Sequence, residues 1–118
     1  MIRQISYNMF DNIKYNRLAI KNNNKYKKAK PYPHIQFKNF LDKNFAHELF
    51  ENFPKYEDDC WISHKKYGRN INTNYKKVQH DERYCPDILR SFLRSINSKQ
   101  FILFLETLTG INGLIPDP

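Results

Sequence analysis

Asn97-Ser98-Lys99-Gln100-Phe101-Ile102-Leu103-Phe104-Leu105-Glu106-Thr107-Leu108-Thr109-Gly110-Ile111-Asn112-Gly113-Leu114-Ile115-Pro116-Asp117-Pro118 decides how this chain is read. Ser98 is a side-chain cap for a helix start. Phe101, Ile102, Leu105 and Leu108 follow with helical spacing. Gly110 is placed to take the left-handed residue that closes a helix, with Ile111 packing back onto the last turn. Leu114-Ile115 then reads as a strand, and Pro116-Asp117-Pro118 as a bend leading onward. Such a helix-to-strand unit needs a sheet to join. The expectation is therefore a chain cut off before the part that would carry its chemistry. Phe101, Leu105, Leu108, Ile111, Leu114 and Ile115 are then left without the partner that should cover them.

Working backwards, Pro86 suits the first position of another helix, and Asp87 complements the dipole there. Ile88, Leu89, Phe92, Leu93 and Ile96 line one side, and Asn97 ends it. Residues 55–84 are loop-rich, with short strands expected near Trp61-Ile62 and Tyr75–Val78. Phe45, Ala46, Leu49, Phe50 and Phe53 fit a helix after Asp42, and Pro54 stops it. Ile35 and Phe37 alternate with polar neighbours in His34–Phe40, the period of a half-buried strand. Pro31 and Pro33 force an extended entry to it. Before that, Ile13, Arg17, Leu18 and Ile20 fit a short helix that Asn22-Asn23-Asn24 would end. The expected elements are a strand near 34–40 and helices near 43–52, 86–96 and 98–109, with residues 1–30 loosely attached. No internal repeat is found, and only Lys21–Lys30 is compositionally biased.

At 118 residues the chain has room for one domain, and 15% aromatic content calls for a packed region. No apolar run reaches the ~20 residues of a membrane helix. Met1–Ile20 lacks the apolar core of a signal peptide. Cys60 and Cys85 are too few for a disulfide framework or a zinc site. A reducing, cytoplasmic setting without a membrane partner is the expectation. The net charge of +8 is unevenly spread. Residues 1–30 carry eight Lys/Arg and one Asp, whereas residues 31–118 carry twelve Lys/Arg and eleven Asp/Glu. The basic character thus sits in the lead-in, where a solvated segment is the simpler account. This placement disfavours a nucleic-acid partner, since a dedicated module carries its charge on a folded face. The rival reading is a small basic module binding nucleic acid or protein, with Lys14–Lys30 as an electrostatic arm.

Residue by residue, no catalytic set emerges. An iron centre of the two-histidine, one-carboxylate kind needs both imidazoles and the carboxylate on one face. His80-Asp81-Glu82 has the right first spacing, but no histidine follows it. His47 reads as an exposed helix residue beside Glu48. His34 reads as a packing or hydrogen-bonding residue, and His64 has no patterned partner. Cys60 beside Trp61 has no base placed near it, so a small buried hydrophobe is the better account. Trp61 reads as a core anchor. Lys65-Lys66 and Lys76-Lys77, interleaved with Tyr67 and Tyr75, faintly suggest a single-strand nucleic-acid surface, against a solvated loop. Gly-rich phosphate loops and Ser-His-Asp arrangements are absent.

Three segments nevertheless carry a resemblance. Lys30-Pro31-Tyr32-Pro33-His34-Ile35-Gln36-Phe37-Lys38-Asn39-Phe40-Leu41 resembles the opening of bacterial and phage Fe(II)/2-oxoglutarate-dependent oxygenases of the prolyl-4-hydroxylase-like class. Lys38-Asn39 departs from that pattern, which has an acidic residue there. Pro86–Ser98 is the second segment. Phe101–Pro118, with Phe-Leu-Glu-x-Leu-Thr-Gly-Ile-x-Gly-Leu-Ile-Pro-Asp-Pro, is the third and the most specific. The resemblance spans about residues 17–118. It implies an α+β fold: the N-terminal helices and first strands of a double-stranded β-helix (jelly-roll) oxygenase, with the core sheet missing. It implies a basic flexible lead-in at 1–30 and an incomplete N-terminal supporting part at 31–118. The helices at 86–96 and 98–109 would pack outside the missing sheet. It implies Fe(II) and 2-oxoglutarate as cofactors of the parent protein, with ascorbate as an optional reductant, and a missing C-terminal catalytic core as the main partner. Peptidyl proline, a glycan and a small molecule remain open as substrates. The family's iron and cosubstrate ligands match no residue here, so no catalytic, cofactor-binding or metal residue is carried over, and the chain alone is expected to be inactive.

Overall fold

A computed structural model describes residues 9–55, 57–58, 60–63, 77–79 and 82–116. The chain divides into two compact units, one built from residues 1–43 and 91–118 and the other from residues 44–90.

The first unit rests on two helices, α1 (Asn12–Lys28) and α4 (Lys99–Thr109). Asp11 starts α1, its carboxylate accepting from the Lys14 N–H at 3.2 Å. The helix runs straight through Asn22-Asn23-Asn24, and Asn22 Nδ2 donates to the Leu18 carbonyl at 2.8 Å. Asn is a weak helix former, so tertiary packing must offset that preference. Tyr15 and Ala19 are buried, the latter completely. They meet Phe104 and Leu108 of α4 together with Phe10. Ile13 and Ile20, two of the residues whose spacing suggested a helix, are 65% and 56% exposed. The loosely attached lead-in expected at 1–30 is thus corrected over 12–28, because an aromatic and a small residue, rather than the isoleucines, form its buried side.

The α+β expectation is also corrected. The described residues form four helices and only one short antiparallel pair of strands, with no start of a jelly-roll sheet. The segment expected as a strand at 34–40 forms no strand and bends at 38–39. Its alternation is real: Ile35 and Phe37 are half-buried against the α1–α4 core, while Gln36 and Lys38 are exposed. Alternation reports a half-buried face; a strand also requires a hydrogen-bonded neighbour, and none is present among the described residues. Two features anchor the segment instead. Tyr15 Oη donates to the Phe40 carbonyl at 2.6 Å. Rings of Phe10, Tyr15, Phe37, Phe40, Phe101 and Phe104 interlock, with the Phe40–Tyr15 and Phe40–Phe104 centroids 5.1 and 5.4 Å apart. The Lys30–Pro31 peptide is cis.

Helix α4 begins and ends as its capping residues dictate. Ser98 Oγ accepts from the Phe101 N–H, and Gly110 adopts φ 78°. The face expected to await a sheet is occupied by α1: Leu108 is buried, and Phe101 and Leu105 are half-buried against the core. Beyond Gly110 no strand forms over the described residues. The chain instead folds back on α4, where Glu106 Oε2 accepts from the N–H groups of Gly113 at 2.6 Å and Leu114 at 3.1 Å.

The second unit contains nearly all of α2 (Lys43–Glu51), the strands β1 (Trp61–Ser63) and β2 (Lys77–Gln79), and the start of α3 (Asp87–Ile96). The strands pair antiparallel, Ile62 opposite Val78. Helix α3 starts directly after Pro86, whose carbonyl accepts from the Arg90 N–H at 2.9 Å. Arg90 also pairs with Asp87 at the first turn. Cys60, Cys85, Ile88, Leu89 and Pro54 are buried in this unit.

Candidate functional site

The histidines do not assemble into a centre. His34 donates from Nδ1 to the Tyr32 carbonyl at 2.7 Å, an acceptor that fixes which nitrogen carries the proton. His47 is exposed on α2, 3.9 Å from Glu51 one turn later. His64, His80 and Asp81 lie outside the described residues, as do Lys65, Lys66, Tyr67, Tyr75 and Lys76. Among the described residues no three His, Cys, Asp or Glu side chains converge in a way that could hold a metal ion.

The two cysteines do come together, although twenty-five positions separate them. Cys60 Sγ lies 2.9 Å from Cys85 Sγ, and both are buried free thiols. Burial first, and then the hydrogen bond to Cys85, push the Cys60 thiol up to about 12. Nucleophilic chemistry needs the thiolate, so this environment argues for packing and against catalysis. Trp61 is half-buried with its ring 5.9 Å from the exposed Phe53, so it is not part of the buried core that its reading as an anchor expected.

A different constellation lies on the first unit. Three cations of α1, Lys14, Arg17 and Lys21, follow one another at spacings of three and four residues, which puts them on one helix face. The segment after Pro33 passes beside this face. At Asn39 the backbone turns into the left-handed region, φ 56°, a conformation asparagine tolerates. Lys38 thereby joins the three α1 cations around one open groove of about 280 Å³, completed by Leu18, Asn39 and Phe40. Phe40 is fixed in this wall by its carbonyl bond to Tyr15 and by the ring cluster. Among the described residues no carboxylate lines the groove. Among the described residues none of its four cations makes an ion pair; Lys14 only lies over the Tyr15 ring, 5.2 Å from its centroid.

Four uncompensated cations around one open groove can hold an anion. The charge run was legible in the sequence as Lys14–Lys30. The contribution of Lys38, eight residues beyond it, was not, because only the packing of the segment after Pro33 beside α1 places it there. Among the described residues no helix is long and apolar enough to cross a membrane. Comparison of the chain with protein-family models, with curated proteins and with solved structures finds no match.

Proposed function

We propose that this chain is a helical supporting part of an Fe(II)/2-oxoglutarate-dependent oxygenase, acting in the cytoplasm, with the iron and cosubstrate ligands supplied by other sequence of the same protein. The observation that carries the reading is how the most specific resembling segment is held together. In Phe-Leu-Glu-x-Leu-Thr-Gly-Ile-x-Gly-Leu, the Glu is Glu106, and its carboxylate takes the N–H groups of the motif's second Gly and following Leu, Gly113 and Leu114. The motif's first Gly is Gly110, in the left-handed conformation that lets the chain turn back. The residues that carry the resemblance are thus the ones that bind one another. A motif with such an internal reason is less readily met by chance than a string of apolar residues.

When bound, iron and 2-oxoglutarate would supply oxygen activation and hydroxylation of a C–H bond. This chain's own contribution is mechanical. The Glu106 clamp fixes the direction in which residues 111–116 leave α4, and the aromatic cluster behind α4 keeps that helix rigid.

The coding sequence around codon 118 tests the proposal. A Gly-rich segment followed by His-x-Asp and a distal histidine, in frame or one frame shifted, is expected. The protein spanning both parts should release succinate from 2-oxoglutarate in an Fe(II)-dependent assay, and the 118-residue chain should not. Absence of such a segment in every frame, or full turnover by the 118 residues alone, refutes it.

A further inference from the structure

The basic groove is one end of a longer feature. Helix α1 carries six residues of Lys or Arg and no acidic residue, and the whole of residues 12–41 contains eight Lys/Arg and no Asp or Glu. At 3.6 residues per turn, Lys14, Arg17, Lys21, Lys25 and Lys28 fall within an arc of about 80°. All five are exposed. At 1.5 Å per residue the row is about 21 Å long. Lys38 joins it at the groove. Asp11, the carboxylate next to the row in sequence, is turned to the Lys14 N–H as a helix cap. Among the described residues no ion pair involves any of these six cations.

A solvated surface normally mixes both signs of charge, and a charge run on a loose segment binds little by itself. Here the row sits on a helix locked to α4 through Tyr15 and Ala19. That changes the argument from sequence, which discounted the charge because it was expected to lie off the folded part. We infer that the Lys14–Lys28 face with Lys38 is a binding surface for the phosphate backbone of a nucleic acid, engaged without reading bases. The row is too long for one phosphate. It matches about six phosphates at ~3.4 Å per nucleotide along one strand. A lipid surface fits less well, because an interfacial helix needs its apolar face free to enter the membrane. The buried side of α1, Tyr15 and Ala19, is committed to the protein core. Among the described residues no exposed aromatic ring lines the groove to stack a base, Phe40 being half-buried in the ring cluster. Backbone contacts without base contacts give affinity without sequence preference. The inference stands on α1 and Lys38 alone and is independent of the oxygenase proposal.

The test is fluorescence anisotropy with the full chain and labelled oligonucleotides of about 20 nucleotides, one single-stranded and one duplex, at about 50 mM salt. Binding should be indifferent to sequence. Six neutralised phosphates give a log–log salt slope near about −4 on a single strand, a loss of roughly 10²-fold between about 50 and 200 mM. Replacing Arg17, Lys21 and Lys38 together by Gln should weaken binding at least about tenfold and flatten the slope by about 2. A control triple at exposed cations elsewhere, Lys43, Lys55 and Lys99 to Gln, should change neither as much. Replacing Lys14, Lys21 and Lys38 by Arg should preserve binding. All the substituted side chains are exposed, so circular dichroism melting should be unchanged; were the Gln triple to unfold, the three single substitutions read separately decide the same question. Four results overturn the inference: no binding at low salt, binding unaffected by the groove substitutions, equal loss in the control triple, or binding to anionic phospholipid vesicles with none to either oligonucleotide.

Discussion

Replacing Ala19 by Lys asks whether α1 is docked or merely trails from the fold. In an isolated helix the change is small, since Ala and Lys are both good helix formers. In the structure Ala19 has no exposed surface and sits in the cluster with Tyr15, Phe104 and Leu108. A lysine there meets two costs. Its extra methylenes overfill the α1–α4 contact, typically ~1–3 kcal/mol. Its ammonium is desolvated without a partner, which depresses such a group by up to ~3–5 pKa units, about 4–7 kcal/mol at ~1.36 kcal/mol per unit. Part of this is relieved if the long stem reaches water, so the working figure is at least about 3 kcal/mol. Against the ~5–15 kcal/mol that holds a domain together, that is a large fraction. At ~4–8 °C per kcal/mol for a unit of this size, the melting temperature should drop by about 12 °C or more. Ile20→Lys, one residue on and 56% exposed, is the control and should be tolerated. The assay is thermal denaturation by circular dichroism, with a hydrophobic dye reporting early exposure of the aromatic cluster. Should Ala19→Lys melt within about 2 °C of the parent, the α1–α4 interface does not exist and the groove loses its scaffold.

Three further outcomes follow from single residues. Burial, and then Asp42 and Asp11, raise Tyr15 above its usual value, and Cys60 is pushed up to about 12. Both groups are more easily deprotonated in the unfolded chain, so their stabilising share is complete at neutral pH and disappears as pH climbs from about 9–10 through the folded-state values; urea midpoints measured at rising pH should fall in that window, and fall less steeply in Tyr15→Phe and Cys60→Ala. Tyr15→Phe should also cost about 1–2 kcal/mol at neutral pH, because the Phe40 carbonyl loses its 2.6 Å donor, whereas an unchanged midpoint would show the bond to be dispensable. Gly110→Ala and Gly113→Ala should each cost about 1–2 kcal/mol, because both positions have positive φ, 78° and 79°; the carbon added at Gly110 would meet only the flexible end of Lys27, at 3.0 Å from Cε, which can swing aside. Unchanged urea midpoints in both variants would refute the left-handed turn after α4.

What could be read in advance was whatever local chemistry decides. Helices α3 and α4 occupy the expected spans because Pro86, Ser98 and Gly110 act within one turn of themselves, and α2 lies where its apolar spacing between Asp42 and Pro54 put it. Helix α1 was misread because its inward face is chosen by fit against Phe104 and Leu108, and that fit prefers Tyr15 and Ala19 to Ile13 and Ile20. Hydropathy ranks isoleucine above alanine; a close helix–helix approach reverses the ranking. The 34–40 segment was misread for a related reason. Ile35 and Phe37 alternate to reach the core, and no neighbouring backbone takes their hydrogen bonds among the described residues. The Cys60–Cys85 contact and the place of Lys38 in the groove depend on chain segments far apart in sequence, and nothing in the local pattern signals either.

The apolar surface of α4 connects these points to the proposed role. The sequence suggested that six apolar positions of residues 101–115 wait for a partner. Helix α1 already covers Phe101, Leu105 and Leu108, so that face of α4 is not where further sequence would dock. Ile111 and Ile115 remain 54% and 81% exposed, and the Glu106 clamp holds the segment between them at a defined angle to α4. Covering the exposed parts of these two side chains is worth roughly 2–4 kcal/mol. Under the oxygenase proposal, the remainder of the protein should therefore meet this chain at residues 111–116. Helix α1 and its row of cations, turned to the other purpose, would stay accessible.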